Sequence, residues 1–277
     1  MKKLSVLTLA ALLLLTMLAG CTGGNSAATP TPDTEPVELV VFAAASMTET
    51  MKQIAEMYRE TAPDVTLVYT FDSSGTLKTQ IQEGADCDLF ISAAQKQMNE
   101  LDASRDADRG NPEGLDFVLQ GTRVDLVENK VTLAVPEGNP AGVTSFADVG
   151  TDAVTMVALG NADVPVGQYA EELFVNLGIW DSIQSKISFG SNVKEVTTWV
   201  SETVVDCGVV YGTDAYSAGL EVVDIATPDM LSTQVLYPAA VLNITKNEQA
   251  ARDFLAYLQS DACAAVFQEV GFSIPVS

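Results

Sequence analysis

The sequence predicts an α/β protein of two lobes, each a mostly parallel sheet flanked by helices, joined by a hinge that the chain crosses twice. Short β-rich segments alternate with segments of helical periodicity along most of the 277 residues. A polar loop at residues 102–114 separates two such alternating series. A late strand and a long helix follow the second series, and we expect them to return to the first lobe.

The N-terminus has the pattern of an export signal. Two lysines precede an apolar segment from Leu4 to Leu18, which is short for a membrane span and is followed by small residues. The sequence from Leu18 to Cys21 resembles the lipobox of bacterial lipoproteins, in which the cysteine becomes the lipidated first residue. An ordinary signal peptide with an incidental cysteine is the alternative. We therefore expect a lipoprotein signal peptide at residues 1–20 and a flexible tether at residues 21–36, with the protein anchored to the outer face of the cell membrane.

Composition excludes several functional classes. The formal net charge of −23 disfavours binding to nucleic acid or to anionic lipid headgroups. The chain contains no histidine, which excludes His-dependent catalytic triads and the commonest zinc ligand. No motif supports a Ser–Lys dyad or a carboxylate pair, so we expect no enzyme. Cys87, Cys207 and Cys263 lack CxxC spacing and can form at most one disulfide; we expect three small buried side chains.

The first alternating series predicts three strands and three helices. β-branched and aromatic residues define the strands, and apolar residues three or four apart define the helices, as at Met51, Ile54 and Tyr58. In chain order we expect a strand at 37–42, a helix from 47, a strand at 65–69, a helix at 76–83, a strand at 88–92 and a helix from about 94.

The second series follows the same rules and ends in the returning elements. We assign residues 37–127 and 235–277 to the first lobe and residues 128–234 to the second. The elements expected here are strands at 131–135, 155–158, near 187, 208–211 and 239–244, and helices at 166–177, from 193 and at 248–259.

Four strand-to-helix corners share a capping character. Each would expose free backbone N–H groups at the positive end of a helix dipole, which makes it suited to bind an anion. Ligands of open α/β sheets bind beyond the carboxyl ends of the strands, so a cleft between two lobes would bring these corners together. The corners are a capping box from Ser46 to Glu49, a hydroxyl-rich turn from Asp72 to Thr76, a proline near the first helical position in Val164 to Gly167, and a second capping box from Asn192 to Glu195.

The ordered segments FAAASM, FDSSGTL, DLFISAAQKQM, VPVGQYA, NVKE and VVYGTDA resemble the extracytoplasmic molybdate-binding protein of an ABC importer. The resemblance runs from about Val37 to the closing GFSIP. It implies a type II periplasmic-binding-protein fold that captures a tetrahedral oxyanion, molybdate or tungstate, by hydrogen bonds alone. It also implies no cofactor, no direct metal ligand, a membrane-bound ABC permease as partner, and a monomer.

The resemblance also implies the ligand-binding residues. The first lobe would contribute hydroxyl and backbone N–H groups, the second lobe backbone N–H groups, and a tyrosine hydroxyl would complete the set. Carried over by position, these residues are Ser46 and Ser74, then Val166 and Val193, and finally Tyr211.

Two departures from the family pattern leave questions open. Asp72 precedes the serine pair and Gly75 follows it, so either Ser73 or Ser74 could make the contact. Sulfate, phosphate or a small organic anion is the alternative ligand. Hydrogen phosphate carries a proton and needs an acceptor, which Asp72 could provide. A solvent-facing turn aspartate is the simpler interpretation of Asp72. A structural or adhesive lipoprotein is the remaining class, and it would not need hydroxyl-rich corners.

Overall fold

The computed structural model describes residues 36–275, which form two five-stranded sheets with helices packed around them. The expected signal peptide, Cys21 and nearly all of the expected tether lie outside the described residues. The strands are β1 (Val37–Ala44), β2 (Val65–Asp72), β3 (Leu89–Ile91), β4 (Val124–Glu128), β5 (Val131–Val135), β6 (Val157–Gly160), β7 (Ile187–Gly190), β8 (Cys207–Tyr211), β9 (Glu221–Ile225) and β10 (Leu236–Val241). The α-helices are α1 (Thr48–Thr61), α2 (Ser74–Gln82), α3 (Gln95–Glu100), α4 (Pro165–Asn176), α5 (Trp180–Ile183), α6 (Val193–Ser201), α7 (Gly212–Ala218), α8 (Glu248–Leu258) and α9 (Asp261–Glu269).

The first sheet has the strand order β2-β1-β3-β10-β4. β1 pairs in parallel with β2 and with β3, whereas β10 is antiparallel to both β3 and β4. Four of the five strands therefore run in one direction. The carboxyl ends of β1, β2 and β3 lie side by side at one edge, where Ala44 is opposite Asp72. This edge holds the corners that enter α1, α2 and α3.

The second sheet repeats this arrangement in the order β7-β6-β8-β5-β9. β6 pairs in parallel with β7 and β8, and β5 is antiparallel to β8 and β9. Again four of the five strands point the same way, and the corners entering α4, α6 and α7 share one edge. The predicted α/β class, with two mostly parallel sheets, is confirmed.

The chain passes between the sheets twice, at residues 129–130 from β4 to β5 and at residues 226–235 from β9 to β10. The final strand thus returns to the first sheet, as expected, and α8 packs on β10. Two separate connections between sheets form the hinge. The precise lobe boundaries remain a prediction.

Several predicted elements differ from those observed. The late strand was expected at 239–244 but is β10, three residues earlier. Pro238 lies within it, at a shift of register between Tyr237 and Pro238, and such a proline argues against a strand when read from sequence alone. β6 begins at Val157 instead of 155. β4, β9, α5, α7 and α9 were not expected at all.

Burial agrees with the main apolar patterns. Ala251, Phe254, Leu255 and Leu258 are buried on one face of α8, as predicted. Cys87, Cys207 and Cys263 are all buried free thiols, which confirms that they are small buried side chains without a disulfide. Burial is the main cause of the raised pKa of each of the three thiols, so these cysteines are poor nucleophiles. Among residues 36–275, no helix is both long enough and apolar enough to cross a membrane.

Candidate functional site

The four corners meet at one small cavity between the two sheets. Its volume is about 10 Å³, the space of roughly one water molecule. Its wall is formed by five short segments at the corners of the two lobes and by the last residue of β8. The lining residues are Ala44, Ala45, Ser46, Asp72, Ser73, Ser74, Ala93, Val164, Pro165, Val193 and Tyr211.

The first corner differs from the expected capping box. A short 3₁₀ helix, Ala45–Met47, precedes α1, and neither helix has a side-chain cap. The Ser46 hydroxyl instead lies 3.0 Å from the Tyr237 hydroxyl of β10, where either oxygen could donate. The prediction of a capping role for Ser46 is therefore wrong. The inserted 3₁₀ turn moves the start of α1 past Ser46, so its hydroxyl stays at the cavity wall.

The second corner separates the roles of its two serines. Ser73 caps α2, because its Oγ accepts from the Thr76 N–H at 3.1 Å. Ser74 is fully buried, and its Oγ accepts from the Ala93 N–H at 2.9 Å. Both serines line the cavity.

The third corner begins α4 with Pro165 at the first helical position, as predicted. Val164 and Pro165 line the cavity, whereas Val166 is buried and is not part of the lining. A Cβ atom on Gly167 would lie 2.2 Å from the Gly160 carbonyl oxygen. Glycine at 167 thus lets the first turn of α4 pack directly on the end of β6.

The fourth corner has the expected cap but not the full box. Asn192 Oδ1 accepts from the Glu195 N–H at 3.1 Å and so caps α6. The Glu195 carboxylate bonds to the N–H and hydroxyl of Ser191 instead of reaching the Asn192 N–H. Val193, the first residue of α6, lines the cavity.

Tyr211 at the end of β8 is 1% exposed and reaches across to the first lobe. Its hydroxyl donates to the Ala93 carbonyl at 3.2 Å. Further hydrogen bonds between the described residues cross the cleft, from Gly75 N–H to Asp163 O at 3.0 Å, from Asn192 Nδ2 to Asp72 Oδ1 at 3.3 Å, and from Gln97 Nε2 to Gln168 Oε1 at 3.2 Å.

The electrostatics of the cavity depend on neutral donors. No lysine or arginine is among its lining residues, and Asp72 is the one charged residue there. Burial raises the pKa of the Tyr211 and Tyr237 hydroxyls well above the ordinary value, so both stay protonated at neutral pH. Behind the cavity, the buried Asp214 carboxylate lies 3.2 Å from Lys194 Nζ, and burial raises its pKa to about 6 even though Lys194 opposes the shift.

Three residues of this site were not predicted from the sequence. Ala93, from the β3–α3 corner, uses its N–H and its carbonyl to join Ser74 and Tyr211. Tyr237 contacts Ser46, and Asn129 at the first crossing donates to the Tyr237 hydroxyl at 3.1 Å. Ala93 acts through its backbone, which has no sequence signal. A buried tyrosine and a hinge asparagine become neighbours only after the chain has crossed twice.

A larger cavity elsewhere is a weaker candidate. It measures about 650 Å³ and includes Arg123, Gln95 and Asn99 in its wall. Asp102 binds the Arg123 guanidinium at 2.9 Å, and Asn99 and Gln95 also accept from it. The cation is therefore already paired. This cavity shares no lining residue with the small cavity where the four corners meet.

Two α/β lobes, a two-segment hinge and a cleft lined by hydrogen-bond donors define the class of two-lobed solute-binding proteins. The chain belongs to the bacterial extracellular solute-binding protein family, whose model matches residues 39–273. These proteins are exported, and the relatives found are transport proteins that bind solutes.

Individual relatives agree with this assignment. The chain is 34% identical over 98% of both chains to a lipoprotein of Bacillus subtilis (strain 168) provisionally named as an ABC transporter substrate-binding protein. It is 33% identical to the molybdate-binding protein of Haemophilus influenzae, over 85% of this chain and 90% of that protein. The periplasmic molybdate-binding protein of Azotobacter vinelandii has the same fold, with a TM-score of 0.72 at 20% identity over 86% of this chain and 100% of that one. The family resemblance and the type II periplasmic-binding-protein fold predicted from the motifs are thus confirmed.

Proposed function

We propose that this chain is the substrate-binding protein of an ABC importer that captures molybdate, and also tungstate, in the cleft and delivers it to a membrane permease. The Haemophilus influenzae relative is named as a molybdate-binding protein and is 33% identical over most of both chains, which supports the ligand class. The B. subtilis relative supports the transporter context. The chain acts by binding and not by catalysis.

The observation that carries this proposal is the convergence of neutral donors on one small cavity. Ser46, Ser74 and Tyr211 bring hydroxyl groups, and Val193 begins a helix at the cavity wall. Val166, one residue beyond the lining, would offer its N–H when the first turn of α4 faces the ligand. Each hydrogen bond to an anionic oxygen contributes about 1.5–3 kcal/mol, so five donors suffice without a cation.

The chemistry of the ligand explains why donors alone are enough. Molybdate and tungstate are fully deprotonated dianions at neutral pH, so an acceptor in the site would face only lone pairs. Sulfate or phosphate is the second candidate, and Asp72 in the cavity wall is the observation that favours phosphate, since hydrogen phosphate can donate to a carboxylate.

Competitive calorimetry on the ligand-free protein tests the assignment. Molybdate and tungstate should bind tightly and displace each other, and sulfate and phosphate should bind more weakly, because a site shaped for the larger tetrahedron contacts them loosely. The absence of heat with molybdate, or tighter binding of phosphate, would overturn the molybdate assignment.

Lobe motion and membrane attachment complete the proposal. Residues 37–127 with 235–277 form one lobe and residues 128–234 the other; binding closes them about the hinge, and the closed monomer docks on the permease. Cys21 carries the lipid that holds the protein at the outer face of the membrane. Replacing Cys21 with serine should release the protein from the membrane fraction and leave oxyanion binding unchanged.

A further inference from the structure

The Asp72 carboxylate is electrostatically unfavourable in an anion-binding site. It is the last residue of β2 and a lining residue of the cavity, where a carboxylate repels the dianion proposed to bind there. Such a group needs a compensating role, and its hydrogen bonds indicate one.

Asp72 Oδ1 accepts two hydrogen bonds, one from each lobe. The Ser73 N–H donates from 2.7 Å within the same corner, and Asn192 Nδ2 donates from 3.3 Å across the cleft. The orientation of the Asn192 amide is fixed, because its Oδ1 accepts from the Glu195 N–H. Asn192 therefore caps α6 with its oxygen and contacts the opposite lobe with its nitrogen.

A second contact reinforces the same corner. The Gly75 N–H donates to the Asp163 carbonyl at 3.0 Å, so residues 72–75 contact two separate corners of the second lobe. Both contacts require the lobes to be close together. Neither uses a group that the proposed ligand needs.

We propose that Asp72 and Asn192 form a latch that holds the lobes together around the ligand and thereby sets the rate at which the ligand leaves. This inference rests on the proposed function, because the latch acts on a bound oxyanion. Asp72 is a positioning residue and not an acceptor for the ligand.

A double-mutant cycle tests the latch through the rate of molybdate release, measured by stopped-flow tryptophan fluorescence. Asn192→Ser keeps a capping oxygen but is too short to reach Asp72, and Asp72→Ala removes the acceptor. Each single variant should release molybdate about 3- to 10-fold faster than the wild type, a typical range for one lost hydrogen bond. The double variant should release it no faster than the faster single variant, since both changes break one contact.

Controls separate the latch from charge and from folding. Asp86→Ala removes an exposed carboxylate of the first lobe, and Thr198→Ala alters an exposed residue of α6; both should release molybdate at the wild-type rate. Asp72→Asn keeps an acceptor oxygen without the charge and should release molybdate more slowly than Asp72→Ala. Thermal unfolding of each variant confirms that it is folded.

The outcomes distinguish the two proposals. Release rates that multiply in the double variant, or an Asp72→Ala variant that releases molybdate no faster than the wild type, overturn the latch alone. Loss of phosphate binding in Asp72→Asn, together with molybdate release in Asp72→Ala no faster than in the wild type, would make Asp72 a ligand acceptor and also overturn the latch. If the wild type binds no molybdate, tungstate, sulfate or phosphate, the proposed function fails and the latch fails with it.

Discussion

Ala93 joins the two lobes through its backbone polar groups. Its N–H donates to Ser74 Oγ, and its carbonyl accepts from the Tyr211 hydroxyl. Because Ser74 Oγ already accepts a hydrogen bond, its own proton is directed elsewhere and can serve an anion in the cavity. The Tyr211 proton is already engaged, so Tyr211 must exchange the Ala93 carbonyl for a ligand oxygen when it binds one.

Replacing Ser74 with alanine should weaken molybdate binding by more than about tenfold, the loss of one charge-assisted hydrogen bond. It should also lower the free energy of unfolding by about 1–3 kcal/mol, because the buried Ala93 N–H loses its acceptor. Ser73→Ala is the matched variant: it removes the α2 cap at a cost of about 1 kcal/mol, with a smaller loss of affinity. Calorimetry and urea unfolding measure both quantities. A larger loss of affinity in Ser73→Ala than in Ser74→Ala would assign the ligand contact to Ser73.

At the scale of single residues, a local pattern predicts a candidate helix cap but not where its side chain points. Ser46 and Asn192 begin the same S/N-x-x-E pattern, yet Asn192 caps its helix and Ser46 does not. The difference arises from the 3₁₀ turn at Ala45–Met47 and from the Tyr237 hydroxyl nearby, a residue 191 positions away in sequence. A local pattern contains no information about such a distant partner.

Among the elements, those with strong periodicity were predictable, whereas two of the four edge strands, β4 and β9, were not. β5 and the apolar face of α8 were predicted from sequence as they are observed. β4 and β9 each form the edge of a sheet, and β9 has no fully buried residue, so neither shows a clear alternation of burial. β10 was displaced in the prediction because Pro238 interrupts it at an irregular pairing.

The first turns of α6 and α7 are joined by an ion pair. Lys194 Nζ lies 3.2 Å from Asp214 Oδ1, and the Asp214 side chain is fully buried. The titratable groups facing Asp214 are Lys194, Tyr211 and Tyr237. The ion pair thus lies directly behind the cavity and fixes Val193, at the start of α6, relative to Tyr211.

The Asp214 carboxylate should make stability depend on pH. Its pKa is raised by burial to about 6 in the folded protein, so the folded state holds a proton that the unfolded state releases at lower pH. Stability therefore falls as pH rises from about 4 to about 6, and the full cost, on the order of 3 kcal/mol, is present above that range. Urea unfolding should show the wild type losing stability relative to Asp214→Asn across this interval.

Lys194→Met provides the complementary variant. Removing the cation leaves the buried carboxylate without its partner, so the pH interval of declining stability should extend to higher pH. Parallel pH profiles for the wild type and Asp214→Asn would contradict the raised pKa. An unchanged profile in Lys194→Met would show that the ion pair does not stabilise the charged form.

At the scale of the whole molecule, the two sheets have the same strand arrangement. In each sheet, the antiparallel strand is the one that follows a connection from the other sheet. β5 follows the first crossing and lies between β8 and β9; β10 follows the second and lies between β3 and β4. The carboxyl ends of the remaining inner strands consequently face the cleft from both sides. This arrangement could be inferred from the order of elements, whereas the contacts across the cleft could not, because they depend on the relative position of the lobes.

Gly75 shows how closely the lobes approach. A Cβ atom at this position would lie 2.4 Å from the Asp163 carbonyl oxygen and 2.8 Å from Asp163 Cα, both in the opposite lobe. Real Cβ atoms do not tolerate such distances to backbone, so any side chain at 75 must hold the lobes apart. Within its own lobe Gly75 lies in the first turn of α2, where alanine is a better helix former.

Gly75→Ala should therefore weaken molybdate binding without lowering the free energy of unfolding. The free energy of unfolding should stay the same or rise by up to about 1 kcal/mol, since alanine favours the helix. Affinity for molybdate should fall at least about tenfold, because closure now costs about 1–3 kcal/mol of steric overlap with Asp163. Small-angle scattering should show that the wild type contracts on adding molybdate and that the variant contracts less.

Thr79→Ala, an exposed change on the same helix, is the control. It should gain stability in the same way and retain full affinity and contraction. Full affinity and contraction in Gly75→Ala would mean that the ligand-bound lobes are farther apart at this corner than they are in this structure.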